Sequence, residues 1–297
     1  MAEDGVYATT ELDPMELLGR LERRVRSYEA PHAMVALSGG VDSSVVLAVA
    51  ARALGAPYVV AVTADSPSYP SGELDAAREV AESIGVSHRV VATAEVERDA
   101  YARNDGERCF HCKVELYTTL GRLAVLRDSG DSGCVLLAGA NADDLGDYRP
   151  GLRAGRQLGV RNPLLEEGMG KPAIRAAARR LGLLVADKPA LACLSSRVAF
   201  GVRITPDLLA RIDRAEQTVR ALGFDVVRVR HFGARASIEV PTDDVGRLQG
   251  HGRLPATLAA IRGLGWEDVG VDPNGYRTGS MNGTLVELGR APALRPP

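Results

Sequence analysis

The chain has 297 residues, of which 45% are hydrophobic, 25% are charged and 4% are aromatic. This composition is ordinary for a globular protein and is sufficient for one large domain or two modest ones. A formal net charge of -2 excludes a general positive field that would attract nucleic acid. The acidic stretch 1–14 lacks the apolar segment of a signal peptide, and the longest apolar stretch, 45–64, contains Arg52, Gly55 and Pro57. We therefore expect a cytoplasmic protein with no membrane association and no nucleic-acid partner.

The first two hundred residues predict helices and strands in alternation. Pro14, directly after Asp13, is typical of a helix start, and Gly55 and Gly85 are typical of helix ends. Helices are predicted at 14–28, 41–54, 72–84 and 111–126, and strands at 34–37, 58–63, 88–92 and 135–138. Strands separated by helices of this length indicate a doubly wound α/β fold, with a parallel sheet covered on both faces.

The pattern changes after about residue 200. Helices are predicted at 206–222 and 243–262, and strands at 225–230, 236–240 and 266–271. This order indicates a smaller α+β domain. The predicted organisation is a first domain at 1–200, a second at 201–280 and a flexible tail at 281–297.

A glycine- and serine-rich motif joins the first predicted strand to the next helix. It reads Ser38, Gly39, Gly40, Val41, Asp42, Ser43 and Ser44. Open α/β sheets bind ligands at such strand ends, glycines let the backbone approach an anion, and the helix offers free N–H groups at its positive end. The chain has no G-x-x-x-x-G-K-[ST] motif, so cleavage of the γ-phosphate is not the expected reaction. The structural alternative is a turn that only caps a buried helix.

An acidic loop follows the strand predicted at 135–138. Asp143, Asp144 and Asp147 lie close to Asn141 in the sequence, and carboxylates of this kind are suitable ligands for the Mg²⁺ that accompanies ATP. Arg149 is predicted to bind a phosphate or a carboxylate of the substrate in a bidentate manner. The structural alternative is a solvated acidic loop that Arg149 neutralises.

Cysteine placement is the next informative feature. Cys109 and Cys112 form a C-x-x-C motif, which can chelate a metal, form a redox disulfide or hold an iron–sulfur cluster together with further thiolates. Cys193 lies among small residues near Arg197, surroundings that favour a thiolate. Cys134, at the start of a predicted strand, is most simply a core thiol.

These motifs together resemble the LarE family, sulfur transferases of nickel-pincer cofactor synthesis within the PP-loop ATP pyrophosphatase superfamily. The resemblance covers nearly the whole chain. It depends on SGGVDSS at 38–44, RCFHCK at 108–113, NADDLGDYRPG at 141–151, KPALACLSSR at 188–197 and VRVRHFGARASIEV at 227–240. One departure is Val198-Ala199-Phe200, where the family has a run similar to isoleucine-proline-tyrosine.

The resemblance implies an activity. ATP would adenylylate a carboxylate of pyridinium-3,5-biscarboxylic acid mononucleotide with release of pyrophosphate, and sulfur would then displace AMP to give a thiocarboxylate for the cofactor of lactate racemase. The motif at 38–44 would hold the β- and γ-phosphates, and the strand end around Thr63 would contact adenine through backbone groups. An ordinary strand exit is the structural alternative for that stretch.

The family also implies two possible sources of the sulfur. Members with a single cysteine look like sacrificial donors that lose the sulfur of the residue matching Cys193, leaving dehydroalanine. Members with the additional C-x-x-C look like [4Fe-4S] enzymes with a transferable sulfide. Because this chain has Cys109, Cys112 and Cys193, we predict the cluster form, with the sacrificial route as the alternative.

Four arginines are predicted to bind the nucleotide-like dicarboxylate substrate. Arg228 and Arg230 stand two residues apart on one strand and therefore share a face. Two guanidinium groups there suit a phosphate and two carboxylates, with Arg149 and Arg197 as further contacts. The alternative for the pair is a strand face neutralised by Glu239 and its neighbours. A homo-oligomer is also expected.

Three other classes of protein remain open from the sequence. An ammonia-dependent amide ligase would leave the cysteines without a purpose, and a tRNA thiolase should have a basic surface. A nucleotide-binding module without catalysis would leave the acidic loop and Cys193 unexplained.

Overall fold

The computed structural model describes residues 13–127, 133–146, 149–190 and 192–277. Its strands are β1 (His32–Ala36), β2 (Val59–Asp65), β3 (Ser87–Ala92), β4 (Cys134–Leu137), β5 (Arg228–Phe232), β6 (Arg235–Glu239) and β7 (Asp268–Val271). Its helices are α1 (Pro14–Arg26), α2 (Val41–Leu54), α3 (Glu73–Ile84), α4 (Asp99–Ala102), α5 (Arg108–Arg127), α6 (Pro150–Gln157), α7 (Pro163–Glu166), α8 (Lys171–Arg180), α9 (Pro206–Arg220), α10 (Val245–Gln249) and α11 (Leu254–Gly263). Within these described ranges, no helix is both long and apolar enough to cross a membrane.

The chain divides into two compact units. The first unit takes in the described residues of Met1–Asp65, Gly72–Thr93 and Phe110–Ala190, and the second takes in those of Ser66–Ser71, Ala94–Cys109 and Leu191–Pro297. Each unit contains its own sheet. The domain limits predicted at 200 and 280 stay predictions, and the tail predicted at 281–297 lies outside the described residues.

The first unit is built on a parallel four-stranded sheet in the order β3-β2-β1-β4. Alternate side chains of β1 pack into two different hydrophobic clusters, one on each face of the sheet. Ala33 and Val35 join a cluster that contains residues of α1, α2 and α8, whereas Met34 joins a cluster with Leu120 of α5. Both faces of the sheet are therefore covered by helices, and the predicted α/β class is confirmed. Because β1 and β4 are parallel neighbours, the loops that follow them lie at the same sheet edge.

The second unit has a three-stranded sheet with helices beside it. β5 pairs antiparallel with β6, and β6 pairs parallel with β7. Helix α9 contacts β5, and α11 contacts both α9 and β7. The predicted α+β character is thus confirmed for this unit.

Two predicted elements of the second unit are corrected by the structure. The strand predicted at 225–230 begins only at Arg228, where pairing with Glu239 of β6 starts. The helix predicted at 243–262 is divided into α10 and α11. Gly250 follows α10, and α11 begins at Leu254 with Pro255 in its first turn, because proline lacks the N–H that a continuous helix needs.

A buried histidine ties β5 to the segment before β7. The Nδ1 atom of His231 accepts a hydrogen bond from Nε1 of Trp266 at 2.8 Å. Burial, and then the charge of Arg211, lower the pKa of His231 from its ordinary 6.5 to about 4. The imidazole is therefore neutral near pH 7, as its acceptor role requires.

This depressed pKa predicts an acid-sensitive fold. The stabilising effect is complete above pH 6.5 and is lost as the pH falls toward 4, because the unfolded chain then binds the proton more readily. The free energy of unfolding should fall by up to about 1.4 kcal/mol per pH unit in this window. Urea unfolding at several pH values, followed by the fluorescence of Trp266, the single tryptophan of the chain, measures this slope.

The substitution His231→Gln should reduce the slope because glutamine does not titrate. His251→Gln, in the same unit, is the matched comparison that removes one imidazole at another position. An equal slope in wild type and His231→Gln would show that another group is responsible.

Candidate active site

The loop at 38–44, called the PP-loop below, is shaped by two close backbone approaches. A Cβ atom on Gly139 would lie 2.7 Å from the backbone nitrogen of Ser43, so the end of β4 can approach the start of α2 only with glycine at position 139. Gly39 has a φ of 66° and would place a Cβ atom 3.2 Å from the backbone nitrogen of Ala77 in α3. Both glycines are therefore needed to hold the loop at the sheet edge.

The serine hydroxyls of the PP-loop are arranged in a chain. Ser43 and Ser44 each donate to the carbonyl oxygen of Gly40, at 3.1 and 2.9 Å. The only proton of the Ser43 hydroxyl is used in the bond to Gly40. The hydroxyl of Ser38 must therefore donate to Oγ of Ser43, at 3.1 Å. Ser38 is exposed, whereas Ser43 and Ser44 are buried. The two buried hydroxyls thus stabilise the first turn of α2, and Ser38 faces solvent.

Asp42 is the centre of a polar cluster in the first unit. Its Oδ2 atom pairs with the ammonium group of Lys171 and accepts from Nδ2 of Asn141 at 3.3 Å. Its Oδ1 atom is buried and, among the described residues, has no hydrogen-bond partner. A buried carboxylate oxygen without a donor is costly unless a cation or another donor meets it.

The acidic loop lies next to the PP-loop, as predicted. Asn141 joins the two loops through Asp42, and its backbone N–H donates to Asp144 at 3.0 Å. Asp143 accepts from the backbone N–H of Lys171 at 2.8 Å. Arg149 forms an ion pair with Asp144 at 3.0 Å. Asp147 lies outside the described residues, so a magnesium role for the three aspartates stays a prediction.

Thr63 lies at the end of β2 and is almost fully buried. Its hydroxyl donates to the carbonyl oxygen of Leu37 at 2.8 Å and lies 2.8 Å from Nε2 of His88. Because the only hydroxyl proton is used on Leu37, Nε2 of His88 must carry the hydrogen that Thr63 accepts. Burial, and then the charge of Arg78, lower the pKa of His88, consistent with a neutral ring.

In the second unit, Cys193 begins a 3₁₀ turn at Leu194–Arg197, and residues 192–197 are called the Cys193 loop below. The carbonyl oxygen of Cys193 accepts from Oγ of Ser196 at 2.8 Å and from Nη1 of Arg197 at 2.9 Å. The same Nη1 atom donates to the carbonyl oxygen of Ala192 at 2.6 Å. The backbone of the cysteine is thus held from inside its own loop.

Arg197 is itself fixed by a buried ion pair. Its Nε atom lies 2.8 Å from Oε1 of Glu216, and both side chains are fully buried. The carboxylate of Glu216 also accepts from Nη2 of Arg220 at 2.8 Å and from the backbone N–H of Val229 at 3.1 Å. Buried charges persist only with such compensation.

Arg228 and Arg230 share one face of β5, as their spacing predicts. Their guanidinium groups lie 5.3 and 6.0 Å from the ring centre of Tyr276. Arg230 pairs with Glu239 at 3.0 Å and donates to the carbonyl oxygen of Ser196 at 2.8 Å. Burial, and then the positive charge of Arg197, lower the pKa of Arg228 to about 10. Glu239 offsets the charge of Arg230, as the alternative of a neutralised strand face expects, and the substrate role of these arginines stays a prediction.

The C-x-x-C motif occupies the first turn of α5, where Cys109 is exposed and Cys112 is half-buried. The preceding residue, Arg108, is buried. Burial alone would lower the pKa of Arg108, but the electrostatic effects of Cys109, Cys193 and Tyr101 outweigh it and raise that pKa. Cys109 and Cys193 of the second unit therefore act on the same guanidinium. Among the described residues, no group of three or more His, Cys, Asp or Glu side chains is assembled that could hold a metal ion.

Three side chains that contact the predicted site were missed in the sequence. Lys171 stands beside a proline at a helix start and has no motif around it. Arg108 lies within the RCFHCK motif but its burial is a tertiary property. Glu216 did carry a signal, because it shares the helical period of the apolar residues Leu209, Ile212 and Val219, and a charge on such a face indicates a buried partner.

The chain is similar to several known proteins. The asparagine synthase family model matches residues 21–103. An uncharacterised protein of Synechocystis is 39% identical over 259 residues, which cover 87% of this chain and 95% of that protein. Pyridinium-3,5-bisthiocarboxylic acid mononucleotide synthase of Lactiplantibacillus plantarum is 35% identical over 254 residues, 85% of this chain and 90% of that enzyme. The solved structure of NMN synthetase from Francisella tularensis aligns with a TM-score of 0.49 and 16% identity, covering 65% of this chain and 78% of that one.

The close approach at Gly139 predicts that Gly139→Ala destabilises the first unit. The added methyl group must displace the start of α2, which should lower the free energy of unfolding by about 1–3 kcal/mol. Urea unfolding measures the change. Gly121→Ala is the control, because a Cβ atom there meets nothing within 4 Å and alanine should stabilise α5 by about 0.5–1 kcal/mol. Equal stabilities of Gly139→Ala and wild type would refute the constraint.

Proposed function

Since the chain belongs to the LarE family of ATP-dependent sulfur transferases, we propose that it converts carboxylates of pyridinium-3,5-biscarboxylic acid mononucleotide into thiocarboxylates for nickel-pincer cofactor synthesis. The observation that supports this most directly is the match of 35% identity to a synthase named for the bisthiocarboxylic product, over 90% of that enzyme's length. The PP-loop and the Cys193 loop supply the two kinds of chemistry that such a conversion needs.

The first step is activation of the carboxylate. One carboxylate oxygen of the acceptor attacks the α-phosphorus of ATP, the bond to the bridging oxygen of the β-phosphate breaks, and pyrophosphate leaves. The PP-loop at the start of α2 would bind the leaving phosphates through helix N–H groups. Lys171, already paired with Asp42, adds a positive charge that helps to neutralise the leaving group.

Residues near the PP-loop fit the Mg²⁺ that accompanies ATP. The buried Oδ1 atom of Asp42 has no donor among the described residues, and a carboxylate oxygen is a hard ligand of the type Mg²⁺ prefers. Asp143 and Asp144 would supply further oxygens. The cation would offset negative charge on the phosphates during transfer.

The second step is displacement of AMP by sulfur. A sulfur nucleophile attacks the acyl carbon, the carbon–oxygen bond to AMP breaks, and AMP leaves with the former carboxylate oxygen. The fixed backbone of the Cys193 loop would hold the cysteine for this step. Arg228 and Arg230 would meet the anionic groups of the acceptor.

The sulfur is proposed to come from a [4Fe-4S] cluster held by Cys109, Cys112 and Cys193. The donor chemistry fits, because none of the three residues is in a disulfide and thiolates are the usual ligands of such clusters. When bound, the cluster would supply a transferable sulfide at the iron that lacks a cysteine ligand. Loss of the sulfur atom of Cys193 itself is the alternative route.

Activation predicts cleavage of ATP to AMP and pyrophosphate. Asp42→Asn should lower the rate of acceptor-dependent pyrophosphate release by about 100-fold, because it removes the negative charge that would bind Mg²⁺ and that pairs with Lys171, without changing the shape of the side chain. Ser38→Ala should lower it as well. Coupled assays for AMP, ADP and pyrophosphate measure the products.

The control for this experiment is Asp75→Asn, which removes an exposed carboxylate from α3. It should leave the rate unchanged, and both PP-loop variants should unfold at the wild-type urea concentration. Formation of ADP and phosphate by the wild-type enzyme would rule out the proposed activation.

The sulfur source predicts a specific protein mass after turnover. Anaerobically prepared, iron-loaded protein should yield more than one thiocarboxylate per chain when sulfide is supplied, and the mass of Cys193 should be unchanged. Intact-protein and peptide mass spectrometry, with iron and acid-labile sulfide analysis, measure this. A loss corresponding to H₂S at Cys193 in iron-free protein would exclude the cluster and favour the sacrificial route.

A further inference from the structure

Arg108 makes contacts that the proposed chemistry does not use. Its side chain is buried, and Nη1 donates to Oδ1 of Asn104 at 2.6 Å and to the carbonyl oxygen of Ser195 at 2.8 Å. The guanidinium carbon lies 5.4 Å from the ring centre of Phe200. One guanidinium group therefore connects the start of α5 with the Cys193 loop.

Asn104 extends this contact to the segment after the Cys193 loop. It is fully buried, and its Nδ2 atom donates to the carbonyl oxygens of Ala199 at 2.8 Å and Val202 at 3.1 Å. Its backbone N–Cα torsion φ of 54° lies in the left-handed region, which asparagine tolerates better than most residues. The backbone carbonyl oxygen of Asn104 also accepts from the N–H of Gly201 at 3.0 Å.

Two further contacts lie on the same loop. The hydroxyl of Tyr101 is 2.6 Å from Oγ of Ser195, and the N–H of Leu194 donates to the carbonyl oxygen of Ser68 at 2.8 Å. Tyr101 is buried as well. Leu194 and Ser195 are thus held by groups outside the loop. Among the groups that make these contacts in the described part of the second unit, Arg108 is the only charged one.

We propose that Arg108, oriented by Asn104, is a positioning residue for sulfur transfer, which keeps the Cys193 loop in place next to the first turn of α5 where Cys109 lies. This inference rests on the proposed function for its chemical meaning. The guanidinium group also interacts with Cys109, a proposed cluster ligand, but its proposed role is to hold the loop and not to react. It acts through the carbonyl oxygen of Ser195, two residues after the sulfur-bearing position.

The chemistry of the guanidinium group explains why arginine occupies this position. Its planar fork can donate to two acceptors in fixed directions, whereas an ammonium group is a point charge on a flexible stem. A small displacement of a reacting group lowers a rate steeply, by about 100-fold for 1 Å. Activation of the acceptor by ATP should not depend on this contact, since Arg108 is in the second unit and the PP-loop is in the first.

The test compares Arg108→Lys and Arg108→Gln with Arg103→Gln, a matched control that removes an exposed arginine five residues earlier. Pyrophosphate release in the presence of pyridinium-3,5-biscarboxylic acid mononucleotide reports activation, and mass spectrometry of the thiocarboxylate reports transfer. We expect thiocarboxylate formation to fall by about 10- to 100-fold in both Arg108 variants, with pyrophosphate release within about threefold of wild type. Arg103→Gln should change neither quantity.

Amide hydrogen exchange gives a second readout that needs no substrate. In the folded Arg108→Lys protein, peptides covering 192–199 should exchange about tenfold faster than in wild type, while peptides of α9 should be unchanged. Lysine retains the charge and much of the volume, so this variant keeps the test open if Arg108→Gln does not fold.

Two results would overturn the positioning role. One is an unchanged rate of amide exchange at 192–199 in Arg108→Lys. This result counts against the role whether or not the proposed substrate is correct, because the measurement uses no substrate. The other is an equal fall of activation and transfer in the Arg108 variants, which indicates a merely structural role. A wild-type enzyme that releases no pyrophosphate with this acceptor would instead refute the proposed function, and the exchange result alone would then decide the role of Arg108.

Discussion

Hydrogen bonds from buried guanidinium groups to main-chain carbonyls are the interaction on which the Cys193 loop depends. Arg108, Arg197 and Arg230 each donate to a carbonyl oxygen of this loop. A charge removed from water costs several kcal/mol, and a buried carbonyl without a donor costs about 1–3 kcal/mol. Each group therefore compensates the other, and the conformation around Cys193 is specified by the requirement that none of them is left unpaired.

The conformation of the PP-loop depends on glycines and not on buried arginines. Phosphate binding requires exposed backbone N–H groups, so side-chain bulk must be absent where the sheet edge meets α2, and Gly139 meets that need. Activation needs a backbone surface that an anion can approach, whereas transfer needs a sulfur atom held in a fixed position. In the proposed function, the first unit would meet its requirement with glycine and short hydroxyls, and the second with long buried cations such as Arg197.

The sequence predicted those features that depend on local order along the chain. The strand–glycine–helix pattern at 38–44 placed the PP-loop, and the alternation of strands placed the acidic loop beside it, because parallel strands end at the same edge. The start of β5 at Arg228 depends on pairing with β6, and the contacts of Arg108 with Ser195 join residues far apart in sequence. Local patterns do not contain such tertiary information.

Transfer of isotope from the acceptor to AMP tests the central claim most directly. If a carboxylate oxygen attacks the α-phosphorus and sulfur later displaces AMP, then ¹⁸O placed in the acceptor carboxylates must appear in the phosphate of AMP, one atom for each thiocarboxylate formed. Mass spectrometry of AMP after complete turnover measures the label. AMP without ¹⁸O, recovered together with the thiocarboxylate, would contradict activation through an acyl-adenylate.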